Sequence, residues 1–248
     1  MTAVALNPNL RRMTAPTDDV RGGTARRSLR FIVLVDVSGS MAGDKIQAVN
    51  RAIRECIPEM RKNNADNPFA EMFVEVITFS TGAVWHVPRI SVDQFSWKDL
   101  GADGVTDMGA AFDLVTEALD VQNMGKRNLP PVLLLLSDGG PTDDWELALR
   151  RFEATPWGKA GRTVRIAVAI GEGADKGVLT RFTGNPETVL SADRAATLVN
   201  LIKWASISVT KSHSTSMAST GAGGGAPAPA PLPPPPVTVQ SDGDDEPW

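Results

Sequence analysis

Cysteine and histidine are nearly absent from this 248-residue chain, and neither sign of charge predominates. The single cysteine, Cys56, leaves no partner for an internal disulfide and no cysteine cluster for zinc. That scarcity fits a reducing, intracellular setting, although a disulfide-free secreted protein has the same signature. Two histidines, His86 and His213, are too few for the usual histidine-rich catalytic zinc site. A net charge of -4 gives no reason to expect a nucleic-acid-binding surface. No apolar run approaches the roughly 18 residues that cross a bilayer, and residues 1–30 hold arginines among small and polar residues rather than a hydrophobic signal segment. A glycine-rich phosphate loop with its lysine is also missing, which argues against ATP hydrolysis by that route.

What is present divides the chain in three. Residues 1–27 read as a flexible basic leader, 28–209 as one α/β domain, and 210–248 as a tail. The tail runs from Ser/Thr-rich to Gly221–Gly225, then through prolines 227–236 to an acidic end closed by Trp248. That composition describes a flexible linker, an extended spacer and either a passive or a partner-recognising tip.

Within the domain, Phe31–Val35, Pro131–Leu136 and Val164–Ile170 are continuously apolar, as strands covered on both faces should be. Met72–Phe79 and Ala83–Val87, joined by Ser80-Thr81-Gly82, read as a hairpin with an antiparallel edge strand. Glu75 marks the first of the pair as more exposed than the central strands, and residues 188–190 can supply a short last strand. Apolar residues spaced three and four apart predict helices over 44–61 and 109–123. Further helices are expected after Asp143 or Asp144, after Asp175, and after Asp193, the last burying Leu198, Leu201 and Ile202. Cys56 falls on the apolar stripe of the first helix and reads as a buried hydrophobe. Alternating strands and helices make a three-layer α/β domain, whose ligands bind beyond the carboxyl ends of the strands.

The least ordinary polar residues lie at those ends. Asp36-Val37-Ser38-Gly39-Ser40 begins where the first buried strand stops, and its alternation turns three oxygen-bearing side chains toward one centre. Hard divalent cations prefer such ligands, and Mg2+ commonly retains waters in its octahedral shell. One carboxylate and two hydroxyls do not close that shell. Thr106, in a glycine-flanked loop before a helix, and Asp138, at the end of the second buried strand, are the candidates to extend it. Taken singly, each piece has an ordinary reading as a turn, a strand exit or a helix cap.

In order and at matched strand ends, these pieces resemble the metal-ion-dependent adhesion site of the von Willebrand factor A family. The family pattern falls on Asp36, Ser38, Ser40, Thr106 and Asp138. The resemblance implies a Rossmann-like, three-layer domain with a mostly parallel six-stranded sheet and one Mg2+ (Mn2+ or Ca2+ as alternatives) at its top. It also implies an open coordination position that an acidic residue of a partner protein fills. Ser137 stands where threonine is common and Gly140 where glutamate is frequent. Gly139 and Asp107 are candidates for a place behind the ligands or at the partner surface, with helix capping the favoured role of Asp107.

Further stretches, above all Pro141-Thr142-Asp143-Asp144-Trp145, resemble the bacterial TerY-like branch associated with tellurium resistance. That likeness implies a cytoplasmic, non-catalytic module in a stress-response complex with a Ser/Thr protein kinase and a PP2C-like phosphatase. The alternatives are an adaptor for a AAA+ ATPase and a metal-dependent hydrolase, the latter lacking a convincing base. Asp143 and Asp144 are expected to cap the helix that follows them.

Overall fold

The computed structural model describes residues 26–124, 128–219 and 234, with side-chain detail in the last helix up to Ser208. Six strands, β1 (Arg27–Asp36), β2 (Ala70–Ser80), β3 (Gly82–Ser91), β4 (Val132–Ser137), β5 (Val164–Ile170) and β6 (Val189–Ala192), form one sheet in the order β3-β2-β1-β4-β5-β6. Every neighbouring pair is parallel except β2–β3. The helices are α1 (Asp44–Asp66), α2 (Met108–Ala118), α3 (Trp145–Ala154), α4 (Lys176–Thr183) and α5 (Ala195–Ser219).

Period-two alternation assigns each strand residue to one of two cores. Phe31, Val33 and Val35 join the apolar stripes of α1 and α5 on one face. Ile32 and Leu34 join Phe112, Leu149, Leu179 and Phe182 from α2, α3 and α4 on the other. Because both faces are covered, the central strands carry no polar face, and this is why they read as unbroken apolar runs.

Several expectations are refined. The last strand is Val189–Ala192 rather than 188–190, and α1 runs five residues past 61. α2 stops at Ala118, short of 123, although the apolar pattern continues to Leu119 and Met124, both buried in the turn that follows. The Arg30 guanidinium takes the Ala118 carbonyl there. Glu75 corrects the reading of β2 as the more exposed strand. It is 2% exposed, and Arg30 Nε donates to its Oε1 at 2.6 Å, with Nη2 on its second oxygen. A charge within an apolar run signalled a buried pair, with its partner one strand away.

The leader is expected to end at 27, and from residue 25 back it lies outside the described residues. Arg26 is already anchored, its Nε donating to the Ala70 carbonyl at 2.8 Å. The tail is expected from 210, within the last ten residues of α5, and beyond 219 it too lies outside the described residues except for Pro234. Among the described residues, no helix is long and apolar enough to cross a membrane.

Cys56 is 1% exposed between α1 and α5, and burial pushes its thiol up to about 12. A maleimide at pH 8 is therefore expected to leave the folded protein unlabelled and to react fully in denaturant, since the thiolate is the nucleophile. Stoichiometric labelling without denaturant would contradict this packing.

Candidate metal centre

The order of strands reverses between β1 and β4, so their following loops leave in opposite directions and open a crevice at the sheet's carboxyl edge. Asp36 ends β1 and is fully buried. Its Oδ1 accepts the Ser38 amide at 2.9 Å, and its Oδ2 accepts the Ser137 hydroxyl at 2.6 Å. The Ser137 oxygen in turn accepts the Gly139 amide at 2.8 Å. Burial pushes the Asp36 carboxyl above its usual range; the Ser137 and Ser38 bonds oppose that, while the nearby Asp138 charge adds to it.

After Asp36 the chain makes a single 3-10 turn, Gly39–Met41, which brings Ser38 Oγ and Ser40 Oγ to 3.1 Å. The Ser40 hydroxyl donates to Asp138 Oδ1 at 3.0 Å, and Lys45 Nζ sits 2.9 Å from Asp138 Oδ2. The Thr106 loop is tied to this turn through the backbone: Asp103 N donates to Val37 O at 2.8 Å and Gly39 N to Gly104 O at 3.0 Å. A Cβ on Gly39 would stand 3.4 Å from that Gly104 oxygen, an ordinary van der Waals contact, so space alone does not demand glycine there. Farther back, Asn50 of α1 fastens the same loop, its Oδ1 accepting from Leu100 N at 2.9 Å and Trp97 Nε1 at 3.0 Å.

Ser38, Ser40, Thr106 and Asp138 thereby line one open cleft of about 430 Å3, with Asp36 directly beneath. All five residues singled out from the sequence converge. Gly139 is buried, with φ +82°, and a Cβ there would lie 2.7 Å from the Asp175 backbone nitrogen. It lines the cleft beside Asp138, with its backbone against the entry to α4.

The expected cap of α2 passes from Asp107 to Asp143, and α3 has no side-chain cap. Asp107 stands before α2 and makes no bond to that helix; its Oδ2 accepts the Gly82 amide at 2.8 Å and its Oδ1 the Thr142 hydroxyl at 3.1 Å. The α2 amides of Gly109 and Ala110 are taken instead by the two oxygens of Asp143, at 3.0 and 3.1 Å, from across the cleft's rear wall. Asp144 precedes α3 without a side-chain bond to it. Thr142 completes the lock, its Oγ1 accepting Thr106 N at 3.1 Å and its own amide donating to Thr106 O at 2.8 Å. Thus Thr142 and Asp143 hold the Thr106 loop against the strand exit that carries Asp138. Sequence reasoning missed this role because capping is usually local, whereas these partners lie more than thirty positions away.

The donors are two carboxylates and three hydroxyls, oxygens only, which is the chemistry of a hard divalent cation that keeps part of its water. Among the described residues, no group of three or more His, Cys, Asp or Glu offers a different metal cage.

A family model for the von Willebrand factor type A domain matches residues 31–141, a stretch that contains every one of the five convergent residues. No curated protein matches the chain. Among solved structures, the ArnB paralog VWA2 from Sulfolobus acidocaldarius is 18% identical with a TM-score of 0.54, covering 73% of this chain and 46% of that one. A von Willebrand factor type A protein from Catenulispora acidiphila is 20% identical with a TM-score of 0.54, covering 75% and 43%. Proximal thread matrix protein 1 from the mussel byssus, with a zinc-occupied MIDAS motif, is 15% identical with a TM-score of 0.51, covering 73% and 46%. The chain spans less than half the length of these structures, and at such identities they establish the fold alone. The match to residues 31–141, the sheet order and the solved structures agree that this region has the Rossmann-like α/β fold of von Willebrand factor type A domains.

Proposed function

We propose that this domain is a non-catalytic, divalent-cation-dependent protein-interaction module. Asp36, Ser38, Ser40, Thr106 and Asp138 would hold the ion, with Mg2+ the favoured cation and Mn2+ or Ca2+ as alternatives. A bound cation supplies an electrophilic point for an acidic side chain of the partner, and the rim selects which partner offers it. The observation that carries the reading is the convergence of Ser38, Ser40, Thr106 and Asp138 from three separate loops on one open cleft, with the Asp36 carboxylate buried beneath it. Asp36 is fixed by two hydrogen bonds and cannot swing outward, so its share is a buried charge under the ion. The byssus protein, whose MIDAS motif holds zinc, supports a cation at the same place in the fold.

The finer reading is a cytoplasmic TerY-like role in a tellurium-resistance or stress-response complex containing a Ser/Thr kinase and a PP2C-like phosphatase. It rests on the likeness of the Pro141–Trp145 segment and its neighbours. That segment also locks the Thr106 loop through Thr142 and Asp143. Service as a AAA+ adaptor uses the same cleft with a different partner. A hydrolase reading is disfavoured by the donor set, because each carboxylate of the five is already fixed by hydrogen bonds and, among the described residues, no imidazole lines the cleft.

The test is a pull-down from a lysate carrying the kinase and phosphatase, run with Mg2+, with EDTA and with Asp36→Ala, beside calorimetry of Mg2+ binding. Recovery of the pair only with Mg2+ and an intact site is expected, with Mg2+ affinity lost in the variant. Equal Mg2+ affinity in Asp36→Ala and Ser38→Ala would remove these residues as ligands.

A further inference from the structure

The lysine beside the cleft belongs to no part of the adhesion-site pattern, yet it holds one of that site's two carboxylates. Lys45 Nζ lies 2.9 Å from Asp138 Oδ2, with the lysine side chain 23% exposed and the aspartate 9%. Asp138 Oδ1 accepts the Ser40 hydroxyl, so both of its oxygens are engaged by groups at the place where an ion would sit. Lys45 also occupies the first turn of α1, where the partial positive charge of the helix end disfavours an ammonium. Asp44 in the same turn and Asp138 across the cleft both offset that modest penalty. A charge held against its helix by one hydrogen bond is a weakly retained one.

We infer that Lys45 is a displaceable internal counter-cation, so that a divalent ion occupies this site by exchanging with the Lys45 ammonium at Asp138. The inference rests on the metal-binding reading above and adds a gate to it. A divalent ion brings twice the charge of the ammonium and several oxygen ligands at once, so it wins the exchange. A monovalent ion offers Asp138 no more charge than the lysine already does. The same residue therefore lowers affinity for every cation and raises the preference for divalent ones. It also keeps the paired carboxylates Asp36 and Asp138 from facing each other uncompensated.

The experiment is calorimetric titration of the full chain with Mg2+ and Mn2+, comparing wild type, Lys45→Met, Lys45→Arg and Asp36→Ala, with melting curves in EDTA. Lys45→Met is expected to bind both ions at least about tenfold more tightly, roughly 1.4 kcal/mol. In EDTA it should melt below wild type, and a saturating divalent ion should close that gap. Lys45→Arg keeps the charge and should stay within about threefold of wild type. Should Lys45→Met fail to fold, Lys45→Gln carries the same comparison. Unchanged or weaker binding in the neutral variant would make Lys45 a brace for Asp138 and overturn the exchange, while leaving the metal site itself in place. Wild-type protein that binds neither ion would overturn the metal-binding reading, and the exchange with it.

Discussion

Glu75→Leu is expected to lower folding stability by about 3–5 kcal/mol, among the largest single-residue effects in the domain. The replacement leaves the Arg30 guanidinium 4% exposed, with only the Ala118 carbonyl and the Met124 sulfur as partners. The double variant Arg30→Met/Glu75→Leu should recover most of the loss, because apolar side chains of similar volume remove both desolvated charges together. Urea unfolding of the two variants decides the matter. A single variant within about 1 kcal/mol of wild type would mean that water reaches the pair and that β2 is looser than its packing implies.

Asp143→Ala should reach the cleft without touching it. Both Asp143 oxygens bond the first amides of α2, and loss of such a cap costs about 1–2 kcal/mol. The larger consequence is for Thr106, which sits two residues before α2 and is otherwise secured by Thr142. With the helix end unpinned, Mg2+ affinity is expected to fall at least about tenfold, roughly 1.4 kcal/mol. Asp143→Asn retains one acceptor oxygen and should recover part of the loss, whereas Asp144→Ala, which removes no cap bond, should behave as wild type. Calorimetry showing full Mg2+ affinity in a destabilised Asp143→Ala protein would separate the cap from the cleft and refute the coupling.

The main strands and the five convergent residues were legible because each is a local pattern. A buried parallel strand has to be apolar at every position, and the Asp-x-Ser-x-Ser run, Thr106 and Asp138, each ordinary alone, stand out by falling in order at strand ends and before a helix. What escaped were relations between distant residues. Glu75 read as a mark of exposure because its partner Arg30 lies on another strand, with nothing in the spacing to connect them. Asp107 and Asp143 each stand before a helix, so local capping was the natural expectation, yet the tertiary approach of the two loops transfers the cap of α2 to Asp143. Nothing in the sequence singles out Lys45 at the start of α1, and only the placement of Asp138 beside it gives it a role. The far end of α2 shows the same limit, since the apolar pattern persists after the helix has ended.

The hydrogen bond from Ser137 to Asp36 joins residues 101 positions apart, and it lies at the foot of the cleft. A chain emerging from the ribosome completes β1, α1 and the hairpin long before Asp138 exists, so no early intermediate assembles the full set of oxygens. Closing so large a loop is slow relative to local structure, and a cation that binds only the finished arrangement stabilises that state alone. Under the proposed metal-dependent docking, ion occupancy would mark completed molecules, and a partner docking through it would pass over truncated or half-folded ones.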